Sequence, residues 1–256
     1  MERTIRPIIT EASKQEMRCY GEKYFYIKGY AEARKWNRTL RALPLGRRLH
    51  AGQTRRGTMT VDGKEVHIPY YYHCLSVCTR LLNTEPNLSE DDLDKLYAAA
   101  LLHDTIEDCG DDGGGRILLE NGIDEEVVNI VRLLSKPSGA SAYELSEYFN
   151  RIKLNPLALL IKIADRSDNT ETIYTFTKQG KMQEYIAETE TWVFPLCSYG
   201  KEQYPHLSNC ITIIKSTIKT AISIAKAMSG MYDKNGGGGN ANDGVTAERR
   251  PPAQIP

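Results

Sequence analysis

Residues 98–108 read AAALLHDTIED, and no other stretch limits the fold as strongly. The first half is small and aliphatic, which predicts a helix buried on most sides, so the polar residues that follow are carried into the interior. His103, Asp104, Glu107 and Asp108 then place an imidazole and three carboxylates where unpaired charge is strongly disfavoured. A bound cation resolves the conflict. On a helix Glu107 lies four residues from His103 and three from Asp104, on their face, where it can hold a water that a metal also touches. A bare His-Asp pair at a helix end also fits a solvated acidic terminus. The apolar lead-in and the partners elsewhere in the chain favour the metal.

The pattern recurs. Asn155-Pro156 opens PLALLIKIADRSDNT, another aliphatic helix that delivers Asp165, Arg166, Asp168 and Asn169 at its far end. PYYYHCLSVCTRLLN predicts a helix over 70–83 with His73 on or near the inward face. A lone histidine there is more often a core residue than a ligand. Taken together, His73, His103, Asp104 and Asp165 lie on three helices, and two imidazoles with two carboxylates suit Mn²⁺, Fe²⁺ or Mg²⁺ better than a thiol-rich zinc site.

The rest of the chain predicts an all-α body. An irregular start leads to a helix over about 30–43, and Pro44 suits the first turn of a new helix to residue 53. Short strands at 58–61 and 64–68 flank Asp62-Gly63, a strong two-residue hairpin signal. Ser89 with Asp92, and Ser141 with Glu144, resemble capping boxes opening helices that end at the central stretch and at about 154. Short helices follow at 115–121 and 124–134, and longer ones at 180–199, strained by Pro195, and 207–230. Residues 1–43 form an N-terminal segment, 44–232 the main domain, and 233–256, with NGGGGNANDG and ERRPPAQIP, a tail too polar to fold.

Composition narrows the class. At 256 residues and 41% hydrophobic content the chain can bury a core. It has no run of 18 apolar residues, and Glu2, Arg3 and Arg6 stand where a signal peptide needs an apolar stretch, so the expectation is a soluble cytoplasmic protein with no membrane partner. Six cysteines without CxxC pairing read as reduced thiols. Zero net charge hides a segregation: residues 28–56 carry a net of +8 and residues 85–126 a net of −12. Solvated faces account for most of it. The remainder fits a phosphorylated ligand meeting basic groups while acidic ones hold a metal. Few aromatics interleave the basic segment, which argues against nucleic-acid binding.

A histidine, then an adjacent His-Asp, then a distant Asp resembles the HD-domain metal-dependent phosphohydrolases. The flanking residues HAGQTRRG, PYYYH, ALLHDTIED and IKIADRSDN resemble the hydrolase domain of the RelA/SpoT family over about 45–172. That resemblance implies an all-α HD-domain helical bundle with one small β-hairpin near the active site. It implies His73, His103, Asp104 and Asp165 as Mn²⁺ ligands, and Glu107 with Asp108 as the acidic pair that activates water. It further implies Arg55 against the purine with Arg56 beside it, Asn169 and Thr172 at the sugar and phosphate end, and Lys162 and Arg166 as basic positions near the site.

The implied reaction removes the 3′-pyrophosphate of guanosine 3′-diphosphate 5′-di- or triphosphate, the stringent-response alarmone, and the small-molecule nucleotide is the implied partner. An HD phosphohydrolase acting on another nucleotide is the alternative: a 5′-nucleotidase, a deoxynucleotide triphosphohydrolase or a hydrolase of adenosine-based alarmones. A non-catalytic module that keeps the fold is disfavoured by the intact ligands and acidic pair. Two departures bear on the nucleotide. Ser167-Asp168 replaces the apolar and histidine positions of the DRLHN pattern, and the hairpin adds about nine residues between Arg55 and His73. Too few residues follow for a synthetase domain, so the resemblance is to a hydrolase-only relative. The sequence sets no oligomeric state.

Overall fold

The computed structural model describes residues 11–61, 64–109, 114–136, 139–173 and 179–235. In chain order these form α1 (Glu11–Arg34), α2 (Asn37–Leu49), β1 (Thr54–Val61), β2 (Lys64–Pro69), α3 (Tyr71–Thr84), α4 (Glu90–Leu102), α5 (Thr105–Asp108), α6 (Arg116–Glu120), α7 (Glu125–Leu134), α8 (Ala142–Ile152) and α9 (Pro156–Glu171). After α10 (Gln179–Glu188) and a π-helical turn (Thr189–Val193) come α11 (Phe194–Gln203), a single 3-10 turn and α12 (Ser208–Asn235). The fold is all-α, and the antiparallel β1–β2 hairpin is the only sheet among the described residues.

Local chemistry sets most helix starts. The Ser89 hydroxyl accepts from the Asp92 amide, and Glu90, Asp91 and Asp92 complement the positive end of α4. Ser141 and Glu144 form a complete capping box at α8, while the Asn155 side chain accepts from the Leu157 and Ala158 amides with Pro156 in the first turn of α9. Helix α4 then buries every residue from 96 to 102 and α9 every one from 157 to 161. Helices α2, α3, α7 and α9 all pack against α4, and α12 covers α9. Where α2 crosses this centre stands Gly46: a Cβ there would lie 2.5 Å from the Tyr71 ring and 2.8 Å from the Leu101 carbonyl oxygen.

The first helices differ from expectation. α1 continues to Arg34, the chain breaks at Lys35 with φ 59°, and α2 runs from Asn37 through Pro44 instead of starting there. The cause is remote in sequence. Asp94 of α4 accepts from the Arg38 amide at 3.1 Å, the Thr39 amide at 2.8 Å and the Thr39 hydroxyl at 2.8 Å, capping α2 from another helix. The Trp36 indole, tilted against the Tyr97 ring, donates to Glu90 at 2.9 Å and fixes the break.

Other boundaries also move. β1 begins at Thr54, so Arg55 and Arg56 belong to the hairpin, and β2 reaches Pro69; the Asp62-Gly63 turn lies outside the described residues. The expected helix over 180–199 is interrupted by the π-helical turn, which puts Pro195 in the first turn of α11, where its missing N–H costs nothing. Helix α12 extends to Asn235, three residues into the expected tail, and residues 236–256 lie outside those described. Cys74, Cys78, Cys109, Cys197 and Cys210 are free thiols. Part of the charge segregation is ion pairing between the basic and acidic segments: Arg34 of α1 pairs with Glu90 of α4, and Arg38 of α2 with Asp91 of α4 and with Asp124 just before α7, each at 2.6 Å.

If Asp94 caps α2 in this way, Asp94→Ala strands buried donors and should lower unfolding free energy by about 1–3 kcal/mol. Urea denaturation of the two proteins measures it, and an unchanged midpoint would rule out the remote cap.

Candidate metal and nucleotide site

Helix α4 ends at Leu102, so His103 and Asp104 sit on a turn rather than inside the helix, and α5 restarts the chain at Thr105. His103 points inward from this turn and Asp104 beside it. His73 comes from the first turn of α3, and Asp165 from the C-terminal half of α9. His73, His103 and Asp165 each present a ligand atom within 4.8 Å of the others, and all three are buried.

The distances define a cage. His73 Nε2 stands 3.2 Å from Asp165 Oδ1 and 3.6 Å from Asp104 Oδ2, while His103 Nε2 lies 3.1 Å from Asp104 Oδ2 and 3.9 Å from Asp165 Oδ1. Both imidazoles are tied at the other nitrogen to groups that only accept: His73 Nδ1 donates to Asp168 at 2.6 Å and His103 Nδ1 to the Ala100 carbonyl at 2.9 Å. Each Nε2 therefore faces the carboxylates. His103 Nε2 is buried and makes no hydrogen bond, although Asp104 Oδ2 lies 3.1 Å away. An orphaned nitrogen among carboxylates fits a divalent cation, and outer partners on the other ring nitrogen are what metal-binding histidines need.

Charge points the same way. Burial works against a charged imidazole at both histidines, yet the pKa of His73 is raised by Asp165 and Asp168, and that of His103 is raised by Asp104. Burial likewise disfavours the charged carboxylates, but Asp104 is pulled below the usual range by His103 and Asp165 by Lys162 and His73. A site whose field holds protons on two buried imidazoles is a site for positive charge.

Of the other expected residues, Lys162 and Asn169 contact the cage directly and Arg55 through Asp168 and Asn169. Lys162 Nζ donates to Asp165 Oδ2 at 3.1 Å and lies over the Tyr148 ring, and Asn169 Nδ2 donates to Asp165 Oδ1 at 2.6 Å. Arg55 reaches in from β1, with Nη1 on Asp168 at 2.6 Å and Nη2 on Asn169 at 2.9 Å. Glu107 lies at the exposed rim, where burial first and then Asp104 raise its pKa, and its Oε2 accepts from the Lys136 amide at 3.2 Å. Asp108 beside it is exposed. The Thr172 hydroxyl donates to the Asn169 carbonyl at 3.4 Å, and the Arg56 side chain lies outside those described. Arg166 does not turn to the site as expected: it is 4% exposed and holds Glu188, the Thr189 hydroxyl and the Tyr185 ring at the π-helical turn. Its neighbours are structural.

Three contributors were not singled out as site residues from the sequence. Tyr70 donates to Asp104 Oδ2 at 2.7 Å. Gln53, within GQTRRG, joins three parts: its carbonyl accepts from the Tyr70 amide at 2.9 Å, its Oε1 from His50 at 2.7 Å, and its Nε2 donates to the Asp108 carbonyl at 3.0 Å. Asp168 is the third, and its place one helical turn after Asp165 was the available signal.

With this geometry in view, residues 70–170 match the HD domain family. The matched stretch is less than half of the chain and reaches from the start of α3 to the end of α9, the helices that carry the cage. Among solved structures it is similar to a metazoan ortholog of SpoT that hydrolyzes ppGpp and plays a role in starvation responses, with 20% sequence identity, a TM-score of 0.51, and coverage of 72% of this chain and 94% of that one. No curated protein sequence matches the chain. No helix among the described residues is long and apolar enough to cross a membrane.

The raised histidine values give a pH signature. Without metal, their contribution to stability is complete below the ordinary imidazole pKa of about 6.5 and fades as pH rises through the raised folded values. The paired carboxylates lose theirs only in acid, Asp168 being held down to about 2. Ligation needs the imidazoles deprotonated, so the cation's stabilising effect should run the other way. The rise in Tm on adding Mn²⁺ should grow between about pH 6 and about pH 8. A shift independent of pH would remove the histidines from the ligand set.

Proposed function

We propose that this protein hydrolyses the 3′-pyrophosphate of guanosine 3′-diphosphate 5′-di- or triphosphate, releasing pyrophosphate, with Mn²⁺ as the working cation. The observation that carries the reading is the buried His73–His103–Asp165 cluster with Asp104 beside it, and Arg55 hydrogen-bonded to Asp168, the acceptor of His73. Similarity in fold to a SpoT ortholog that hydrolyzes ppGpp supports it.

His73, His103, Asp104 and Asp165 would hold a divalent cation, which would supply a lowered pKa for the attacking water and positive charge for the phosphoryl oxygens. Glu107, with its raised pKa, accepts the proton of the attacking water as general base. Asp108 stands next to it on the same exposed turn, clamped through its carbonyl by Gln53. Lys162 remains cationic because Tyr148 and Asp165 outweigh its burial, and it places positive charge beside the phosphoryl groups. Arg55 offers a planar face to the purine while Asp168 and Asn169 fix its fork. Asn169 and Thr172 border the sugar and phosphate end.

Purified protein with Mn²⁺ and a panel of guanine and adenine nucleotides, with and without 3′-phosphates, should release pyrophosphate from the guanosine 3′-diphosphates. Orthophosphate from a 5′-monophosphate, or triphosphate from a deoxynucleotide, would transfer the protein to another HD activity. Glu107→Gln should keep metal and nucleotide binding and lower kcat by a factor on the order of 10²–10⁴. A loss confined to KM would make Glu107 a binding residue.

The hairpin is the candidate specificity arm. Thr54 pairs with Pro69 at its base, so Arg55 and the start of α3 stay together whatever the length beyond them. Replacing residues 58–67 with a short Gly-Ser linker should leave metal content unchanged, raise KM for the preferred nucleotide and weaken discrimination between guanine and adenine. Unaltered kinetics across the panel would leave the hairpin without a role in selection.

A further inference from the structure

Five side chains close a ring around one edge of the cage. Asp165 Oδ1 accepts from Asn169 at 2.6 Å, Asn169 Oδ1 accepts from Arg55 at 2.9 Å, Arg55 donates to Asp168 Oδ2 at 2.6 Å, and the same oxygen accepts from His73 Nδ1 at 2.6 Å. His73 Nε2, 3.2 Å from Asp165, completes it. Helix α9, helix α3 and strand β1 each supply a member, so the ring ties the metal ligands to the hairpin.

Asp168 is the hub. It is 6% exposed, its Oδ1 lies 3.9 Å from Arg80, and Arg80 in turn pairs with Glu171 at 2.8 Å. The two imidazoles are consequently unlike. His103 Nδ1 faces a neutral carbonyl, whereas His73 Nδ1 faces a carboxylate, which makes His73 the better electron donor and fixes its ring.

We propose that Asp168 is a positioning residue that acts in two directions at once. It aims His73 Nε2 into the cage and, through the same oxygen, holds Arg55, so the grip on the cation and the grip on the nucleotide-facing arginine share one carboxylate. This rests on the metal reading of the cage and not on which nucleotide is cleaved. Two opposed consequences follow from the charges. Neutralising Asp168 removes the negative charge beside His73 and leaves it a neutral amide oxygen in place of a carboxylate, which weakens cation binding. Neutralising Arg55 removes positive charge from beside the same carboxylate and leaves Asp168 wholly to His73, which tightens it.

Mn²⁺ titrations of the full chain by isothermal calorimetry, without nucleotide, read this directly. Asp168→Asn, which keeps the shape, should raise the Mn²⁺ dissociation constant about 10–100-fold with unchanged stoichiometry. Arg55→Met should lower it several-fold, and Glu171→Gln, which touches only Arg80, should leave it unchanged. Thermal unfolding of each metal-free variant confirms that the titrated protein is folded; should Asp168→Asn not fold, the sign of the Arg55→Met effect decides alone. Wild-type affinity in Asp168→Asn, or weakening in Arg55→Met, overturns the proposal. Absence of Mn²⁺ binding by the wild type would overturn the cage itself, an outcome separate from any result of the nucleotide panel.

Discussion

The site depends on taking two imidazoles and the carboxylates of Asp165 and Asp168 out of water, with Asp104 half-buried beside them, at the meeting of three apolar helices. Each charge removed from water costs several kcal/mol unless compensated. Lys162 and Arg55 neutralise part of the excess and a cation completes the balance. Helices α4 and α9 can afford this because residues 98–102 of one and 157–161 of the other are apolar and buried, which anchors the turns that carry the carboxylates.

Much of this was legible in the sequence because it rests on local grammar. A buried aliphatic helix that turns polar at its end reads the same in AAALLHDTIED and PLALLIKIADRSDN, and caps at Ser89, Ser141 and Asn155 mark where such helices begin. What escaped was contact between distant segments. Nothing near Asn37 announces that Asp94 will cap α2, and a polar run such as ADRSDN does not reveal that Arg166 faces the π-helical turn while Asp168 faces His73. Helical periodicity separates the two faces but cannot name the partner waiting on each.

Asp168 illustrates how a departure from a family pattern acquires meaning. Along the chain alone, it adds negative charge beside a ligand. Placed in space, that charge is matched by Arg55 and directed at His73. The hairpin behaves similarly: its added length separates Arg55 from His73 along the chain, yet pairing at its base restores their proximity. Sequence spacing is a poor guide wherever an antiparallel excursion returns to its starting point.

Gly46 carries a further consequence. Any side chain there would press on Tyr71, two residues before His73, and on the Leu101 carbonyl, two residues before His103. A residue with no polar atom in its side chain and no access to a nucleotide thus sets the separation between two helices that aim the imidazoles. In a survey of random variants it will score with the chemistry rather than with the scaffold, and a suppressor of its loss should be sought among smaller residues at position 71, not around the metal.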